Sequence, residues 1–322
     1  MSMKKGGAVR DASDREIVIT RVIDAPRERV WEAWADPKQV VKWWGPRGFS
    51  TTSDRREFKP GGVWRHTMVG PDGVEYPNLA RFEEIVKPER IVYTNGGGKK
   101  DGPGVSFRST VTFKDLGGKT ELALRMVFDT AAARDLVVKE YGAVEGGKQT
   151  LTRLAEHLAG EFVLSRLVDA PRERVWAAWT EPERMRRWFG PKGLKTVSAE
   201  MDLRPGGLYH YGMRTPDGQQ MWGKWIFREI AKPERLVFVQ SFSDENRGVT
   251  RHPMNANWPL QTLATVLFAD FGSKTLITLK WAPLDATDAE RKTFDENRDG
   301  MNKGWGGTFE QLDAYLAQAG GR

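Results

Sequence analysis

The sequence predicts an α+β fold in two tandem copies, each an antiparallel sheet closed by a long C-terminal helix. Three observations predict it. First, Asp24-Ala25-Pro26-Arg27-Glu28-Arg29-Val30-Trp31 recurs 145 positions on as Asp169-Ala170-Pro171-Arg172-Glu173-Arg174-Val175-Trp176. The same offset relates Pro60-Gly61-Gly62 to Pro205-Gly206-Gly207 and Lys87-Pro88-Glu89-Arg90 to Lys232-Pro233-Glu234-Arg235. A repeat of this length is a whole domain copied, since solenoid units run to ~20–50 residues. Second, each copy holds a series of alternating apolar segments separated by Gly/Pro/Asp turns, the mark of antiparallel strands. Third, each copy ends in an amphipathic stripe with helical spacing.

The elements follow in order. Residues 1–15 are polar and basic and read as a disordered leader, which puts the first domain at 16–159 and the second at 160–320. Glu16 to Ile23 is rich in Ile, Val and Thr and reads as a strand. Pro26 suits the first position of a helix, with Glu28 in its first turn. Val30, Trp31 and Trp34 share that helix's stripe. Asp36-Pro37 starts a second short helix, Val40, Trp43 and Trp44 form its stripe, and Gly45-Pro46 stops it. From Phe49 to Phe128 the turns Pro60-Gly61-Gly62, Pro71-Asp72-Gly73, Lys87-Pro88-Glu89 and Gly117-Gly118-Lys119 divide the chain into about six strands. The closing helices show Leu151, Leu154 and Leu158 in the first copy and Trp305, Phe309, Leu312 and Leu316 in the second. Gly146-Gly147 and Gly304, Gly306 and Gly307 should weaken these helices, at about 1 kcal/mol per glycine. Ala159-Gly160 leaves almost no linker.

The copies diverge in one region. Between Val92/Val237 and Lys119/Lys274 the offset grows from 145 to 155, so the second copy carries ten extra residues there. The loops concerned are Gly96–Gly102 and Ser243–Gly248, the latter continuing into His252-Pro253-Met254-Asn255. They are polar and expected to be mobile.

Composition narrows the function classes. The 322 residues contain no cysteine, which excludes disulfides and thiolate metal sites and suits a reducing cytoplasm. No segment approaches the ~18 apolar residues of a membrane span. The net charge of +7 is spread among interspersed acids and bases, so no nucleic-acid partner is expected. The four histidines, His66, His157, His210 and His252, show no metal-ligand spacing, and neither metal nor cofactor is expected. Gly118-Lys119-Thr120 echoes the end of a phosphate loop, but Phe113 stands where its first glycine is required. No Gly-x-Ser-x-Gly nucleophile elbow is present.

What remains is a set of inward-facing side chains. Period-two alternation puts Trp64, His66 and Met68 on one face of their strand, and their counterparts Tyr209, Tyr211 and Met213 on the same face. Tyr76 and Asn78, and Met221, Gly223 and Trp225, follow the same parity one strand over. Gly223 should leave room there. Leu122, Leu124 and Met126 are matched by Ile277, Leu279 and Trp281, and Trp305 should look onto the space from the closing helix. Apolar walls with a few hydroxyls and one imidazole suit a hydrophobic small molecule. The candidate ligand-binding set is therefore Trp64, His66, Met68, Tyr76, Tyr209, Tyr211, Met213, Trp225, Trp281 and Trp305. His66 is the candidate for acid–base work. The second copy holds eight of the 13 tryptophans and is expected to be the better binding half.

The order strand, two short helices, meander and long helix resembles the helix-grip fold of START-like and birch-pollen-allergen-like domains. More narrowly, the stretch from Asp24 to Phe49, the Pro-Gly-Gly and Pro-Asp-Gly turns and Glu83 to Thr94 resemble the heat-shock protein 90 ATPase activator homologue-like family, within the START/SRPBCC superfamily. Gly304-Trp305-Gly306-Gly307 through Leu316 is similar to that family's closing helix, whereas the first copy has Gly147 where the Trp stands. The resemblance spans about residues 16–319 and implies a cytosolic protein with a cavity between sheet and helix. Three functions stay open: binding of a hydrophobic or aromatic small molecule, partnership with a chaperone of the heat-shock protein 90 type, and a cyclase-like or hydrolytic activity in the same cavity. The known activators pair one such domain with a different N-terminal domain, whereas this chain carries two copies.

Overall fold

The computed structural model describes residues 13–318 other than Asp101 and Pro103, and the chain divides into two compact units at Ala159–Gly160. Most of the expected leader, residues 1–12, lies outside the described residues. Its last three, Ser13–Arg15, form a 3-10 turn, and Arg15 Nη1 donates to Phe128 O at 3.0 Å.

In the first unit β1 (Glu16–Ile23) leads into α1 (Arg27–Ala35) and α2 (Pro37–Trp43). Pro26 is the residue capping α1 rather than its first turn, one position earlier than expected. Asp36 caps α2 by accepting from Lys38 N at 2.7 Å, and that bond lowers its carboxyl pKa. The meander follows: β2 (Ser50–Arg56), β3 (Val63–Val69), β4 (Glu75–Val86), β5 (Arg90–Gly97), β6 (Val105–Asp115) and β7 (Thr120–Phe128). The sheet order β1-β7-β6-β5-β4-β3-β2 is antiparallel throughout, with β1 returning to pair with the last strand. Two helices close the unit, α3 (Ala131–Tyr141) and α4 (Ala143–Leu158).

The second unit repeats the plan with β8 (Phe162–Val168), α5 (Arg172–Thr180), α6 (Pro182–Trp188), β9 (Lys195–Met201), β10 (Leu208–Arg214), β11 (Gln220–Ala231), β12 (Arg235–Ser243), β13 (Val249–Thr250), β14 (Gln261–Phe271), β15 (Lys274–Leu284), α7 (Asp288–Glu296) and α8 (Arg298–Gln318). Its order is β8-β15-β14-β12-β11-β10-β9, with the short β13 added beside β12.

The sequence repeat is a repeat of contacts. Trp43 Nε1 donates to Ala33 O at 3.1 Å, and Trp188 Nε1 to Ala178 O at 2.9 Å. Thr120 Oγ1 donates to Ala25 O at 2.8 Å, and Thr275 Oγ1 to Ala170 O at 2.7 Å. Trp43 and Trp188 are fully buried, each worth at most about 4–6 kcal/mol of apolar transfer.

Several expectations need correction. The short helices α3 and α7 lack a strong apolar stripe and were not anticipated, although Thr130 and Thr287 are N-caps of the preferred type. The expected cost of the closing-helix glycines in helix propensity is a separate matter, and both helices run unbroken through them. Gly96 and Gly97 belong to β5, paired with Ser106 and Val105, and Ser243 ends β12. Backbone pairing absorbs those glycines because the ladder needs no side chain.

Candidate ligand cavity

The two closing helices approach their sheets differently, and one position decides it. A Cβ on Gly147 of α4 would lie 2.2 Å from Ile19 Cδ1 of β1, so the helix backbone rests almost directly on the sheet. The equivalent residue of α8 is Trp305, whose indole holds that helix off the sheet. It stands 6.4 Å from Trp179, in parallel, and 6.2 Å from Trp281, edge-on.

The second unit contains a cavity of about 540 Å³ beneath α8. The helix presents Gly300, Met301, Gly304, Trp305 and Thr308 to it, a single face at spacings of three and four, and Asn297, which ends α7, lies just before them. A Cβ built on Gly300 or Gly304 meets nothing within 4 Å, so these two glycines leave the space open. The sheet contributes Tyr211, Met213, Met221, Trp222, Gln240, Phe242 and Trp281, and one end is formed by Phe189, Gly190, Pro191 and Leu194. The last wall is His252, Met254, Asn255 and Trp258, all from the stretch carrying the ten extra residues. Met254 (83% exposed), Asn297 and Gly300 are exposed and mark the open side.

That last wall is pinned in place. Arg251 donates to Glu290 Oε1 and, at 3.3 Å, to Trp258 O. Glu290 in turn completes the capping box of α7 with Thr287, and the Arg251 bond lowers its pKa. Trp258 is buried against Trp281 at 5.8 Å and Phe294 at 5.5 Å. Trp281 Nε1 donates to Thr262 Oγ1 at 2.5 Å.

Of the ten candidate residues, the cavity brings together Tyr211, Met213, Trp281 and Trp305. Tyr209 and Trp225 are fully buried behind its wall, in an aromatic stack with Phe189 and Phe238. The space beside Gly223 is not part of the opening. Gly223 faces Tyr211 in register, and a Cβ there would meet the Tyr211 hydroxyl at 2.4 Å. Burial raises the pKa of both tyrosines. Trp64, His66, Met68 and Tyr76 belong to the first unit and do not join this cavity. His66 is 2% exposed, stacks on Trp64 at 3.9 Å and accepts from Trp44 Nε1 at 3.2 Å. Burial, then the Arg56 charge, lower its pKa to about 3, so it is a neutral core imidazole at pH 7. Met68 and Tyr76 are half-buried, Tyr76 against Phe49.

Sequence reasoning missed the glycine face of α8 and His252 as a wall residue. The signal was available, since Gly300, Met301, Gly304 and Trp305 share one helical stripe. Among the described residues, no group of three or more His, Asp or Glu could hold a metal ion.

Each unit is thus an antiparallel sheet packed on a C-terminal helix, the helix-grip class of α+β domain, here in tandem. The profile of the family described as Activator of Hsp90 ATPase homolog 1-like protein matches residues 24–159 and 169–317, and the chain belongs to that family. Solved structures similar to it include a protein from Nitrosomonas europaea, 28% identical over 50% of this chain and 97% of its own, with a TM-score of 0.41. One from Mycobacterium smegmatis is 27% identical, covering 45% and 91%, with a TM-score of 0.41. One from Arthrobacter aurescens is 26% identical, covering 46% and 88%, with a TM-score of 0.43. A search of curated proteins gave no match.

Proposed function

We propose that the chain binds a hydrophobic or aromatic small molecule in the cavity between the sheet and the closing helix of the second unit. The observation that carries this is the cavity of about 540 Å³, within the ~300–1,000 Å³ typical of ligand pockets. Its lining is dominated by aromatic and methionine side chains, with a few polar groups at the edges. Methionine walls adapt to the shape of an occupant, and aromatic walls supply area at little conformational cost. No acid–base pair meets there, which favours binding over catalysis. Among the described residues no helix is long and apolar enough to cross a membrane, and a cytoplasmic location fits the cysteine-free sequence.

The test is titration of the full chain with the neutral apolar fluorophore N-phenyl-1-naphthylamine. Saturable one-to-one binding with energy transfer from the cavity tryptophans is expected. Gly304→Leu, which fills the opening from the helix side, should abolish it. No saturable binding, or binding indifferent to Gly304→Leu, would reject the cavity as the site and favour an apolar protein-docking role, with a heat-shock protein 90-type chaperone the first partner to test.

A further inference from the structure

The wall contributed by the extra residues is the most polar part of the cavity, and its chemistry narrows the ligand. His252 sits between two other wall residues, its ring 4.6 Å from Phe242 and 5.8 Å from Trp258. Its Nδ1 accepts from the Met254 backbone N–H at 3.0 Å. A nitrogen that accepts carries no proton, so the neutral ring holds its proton on Nε2. Among the described residues no acceptor pairs with that Nε2–H. The geometry therefore leaves one fixed donor, on a rigid ring, in a wall of the opening.

The rest of the lining says what that donor meets. No Asp, Glu, Lys or Arg side chain lines the cavity. Arg251, the nearest cation along the chain, is engaged by Glu290 and the Trp258 carbonyl. An anionic ligand would be stripped of water with no cation to receive it, a cost no hydrogen bond here offsets. A cation would gain cation–π attraction from the tryptophans. It would find no carboxylate, however, and His252 would turn an N–H toward it.

We propose that His252 is the specificity-determining hydrogen-bond donor of this cavity, and that the ligand is a neutral, largely aromatic molecule carrying a carbonyl-type acceptor. The proposal rests on the cavity reading above and adds to it the polarity and charge of the occupant. The ten extra residues of the second copy are then what gives its cavity a chemical preference.

The experiment is displacement of N-phenyl-1-naphthylamine from the full chain by four probes that share one ring system: naphthalene, 2-acetylnaphthalene, 2-naphthoate and 2-naphthyltrimethylammonium. The expected order puts 2-acetylnaphthalene first, by about tenfold over naphthalene, as one net hydrogen bond supplies. The two ions should come last. His252→Phe keeps a ring between Phe242 and Trp258 and should erase the advantage of the acetyl group over naphthalene. Either ion binding as well as the ketone would overturn the neutral class. An acetyl advantage that survives His252→Phe would overturn the donor assignment. Failure of the fluorophore and all four probes to bind would instead remove the cavity reading itself.

Discussion

The same substitution placed at one glycine of each closing helix should change stability in opposite directions. Gly→Ala in a helix interior gains about 1 kcal/mol of propensity. At Gly304 a Cβ meets nothing within 4 Å, so Gly304→Ala should keep most of that gain. At Gly147 the new Cβ would lie 2.2 Å from Ile19 Cδ1, whereas carbon atoms settle at about 3.5–4.0 Å. Ile19 is buried, so its displacement by more than an ångström overpacks the first core, at about 1–3 kcal/mol. Gly147→Ala should therefore be a net loss of up to about 2 kcal/mol, confined to the first unit. Ile19→Val removes Cδ1 at a cost of about 0.5–1.5 kcal/mol and should relieve the clash, so the double variant should be more stable than the sum of the single effects. Native-state amide exchange resolves the units separately, reading protection in α4 and β1 against α8 and β8. Equal stabilisation by both Gly→Ala changes, or strictly additive behaviour of Gly147→Ala and Ile19→Val, would refute the argument that helix–sheet distance is set at this position.

Three further predictions follow from the packing. His66 has its pKa lowered to about 3 when folded and near 6.5 when unfolded, so the unfolded chain binds the extra proton in between. The first unit should lose stability by several kcal/mol as pH falls from about 6.5 toward 3. His66→Phe should fold, as Tyr211 stands at the equivalent site, and a wild-type-minus-variant stability curve that is flat over that window would count against the burial. Arg153 of α4 donates to Gly45 O at 2.9 Å and Pro46 O at 2.8 Å, while Gln311 of α8 donates to Gly190 O. Urea denaturation should show Arg153→Gln nearly tolerated and Arg153→Met costing about 1–3 kcal/mol, because the Gly45 carbonyl is left without its partner while Pro46 O keeps the bond from Phe49 N. Finally, each sheet closes within one unit, so residues 16–159 and 160–320 should fold when expressed apart. Loss of native amide protection in either isolated half would refute this.

The architecture was legible because its signals are local. Alternation in Tyr209, Tyr211 and Met213, the N-cap at Asp36 and the Pro-Gly-Gly turns each report the backbone at their own position. The copied octet then fixed where the second unit begins. Where reading failed, local chemistry was ambiguous. Gly96 and Gly97 have the composition of a loop and the pairing of a strand. Gly304 reads as a helix weakness and also acts as open space.

The cavity itself belongs to the other category. Parity shows that Tyr209, Tyr211, Trp225 and Trp281 all point inward, yet only Tyr211 and Trp281 border the opening, while Tyr209 and Trp225 are packed solid behind it. Parity fixes the face a side chain occupies, not the distance to the layer opposite. That distance comes from Trp305 standing where the first unit has Gly147, and from the extra residues folding back so that Arg251 reaches Glu290 and His252 reaches the wall. The sequence by itself determined two helix-grip units and their inward faces. Only the tertiary structure decided which of those faces meets empty space, because a void is defined by the separation of elements far apart in the chain.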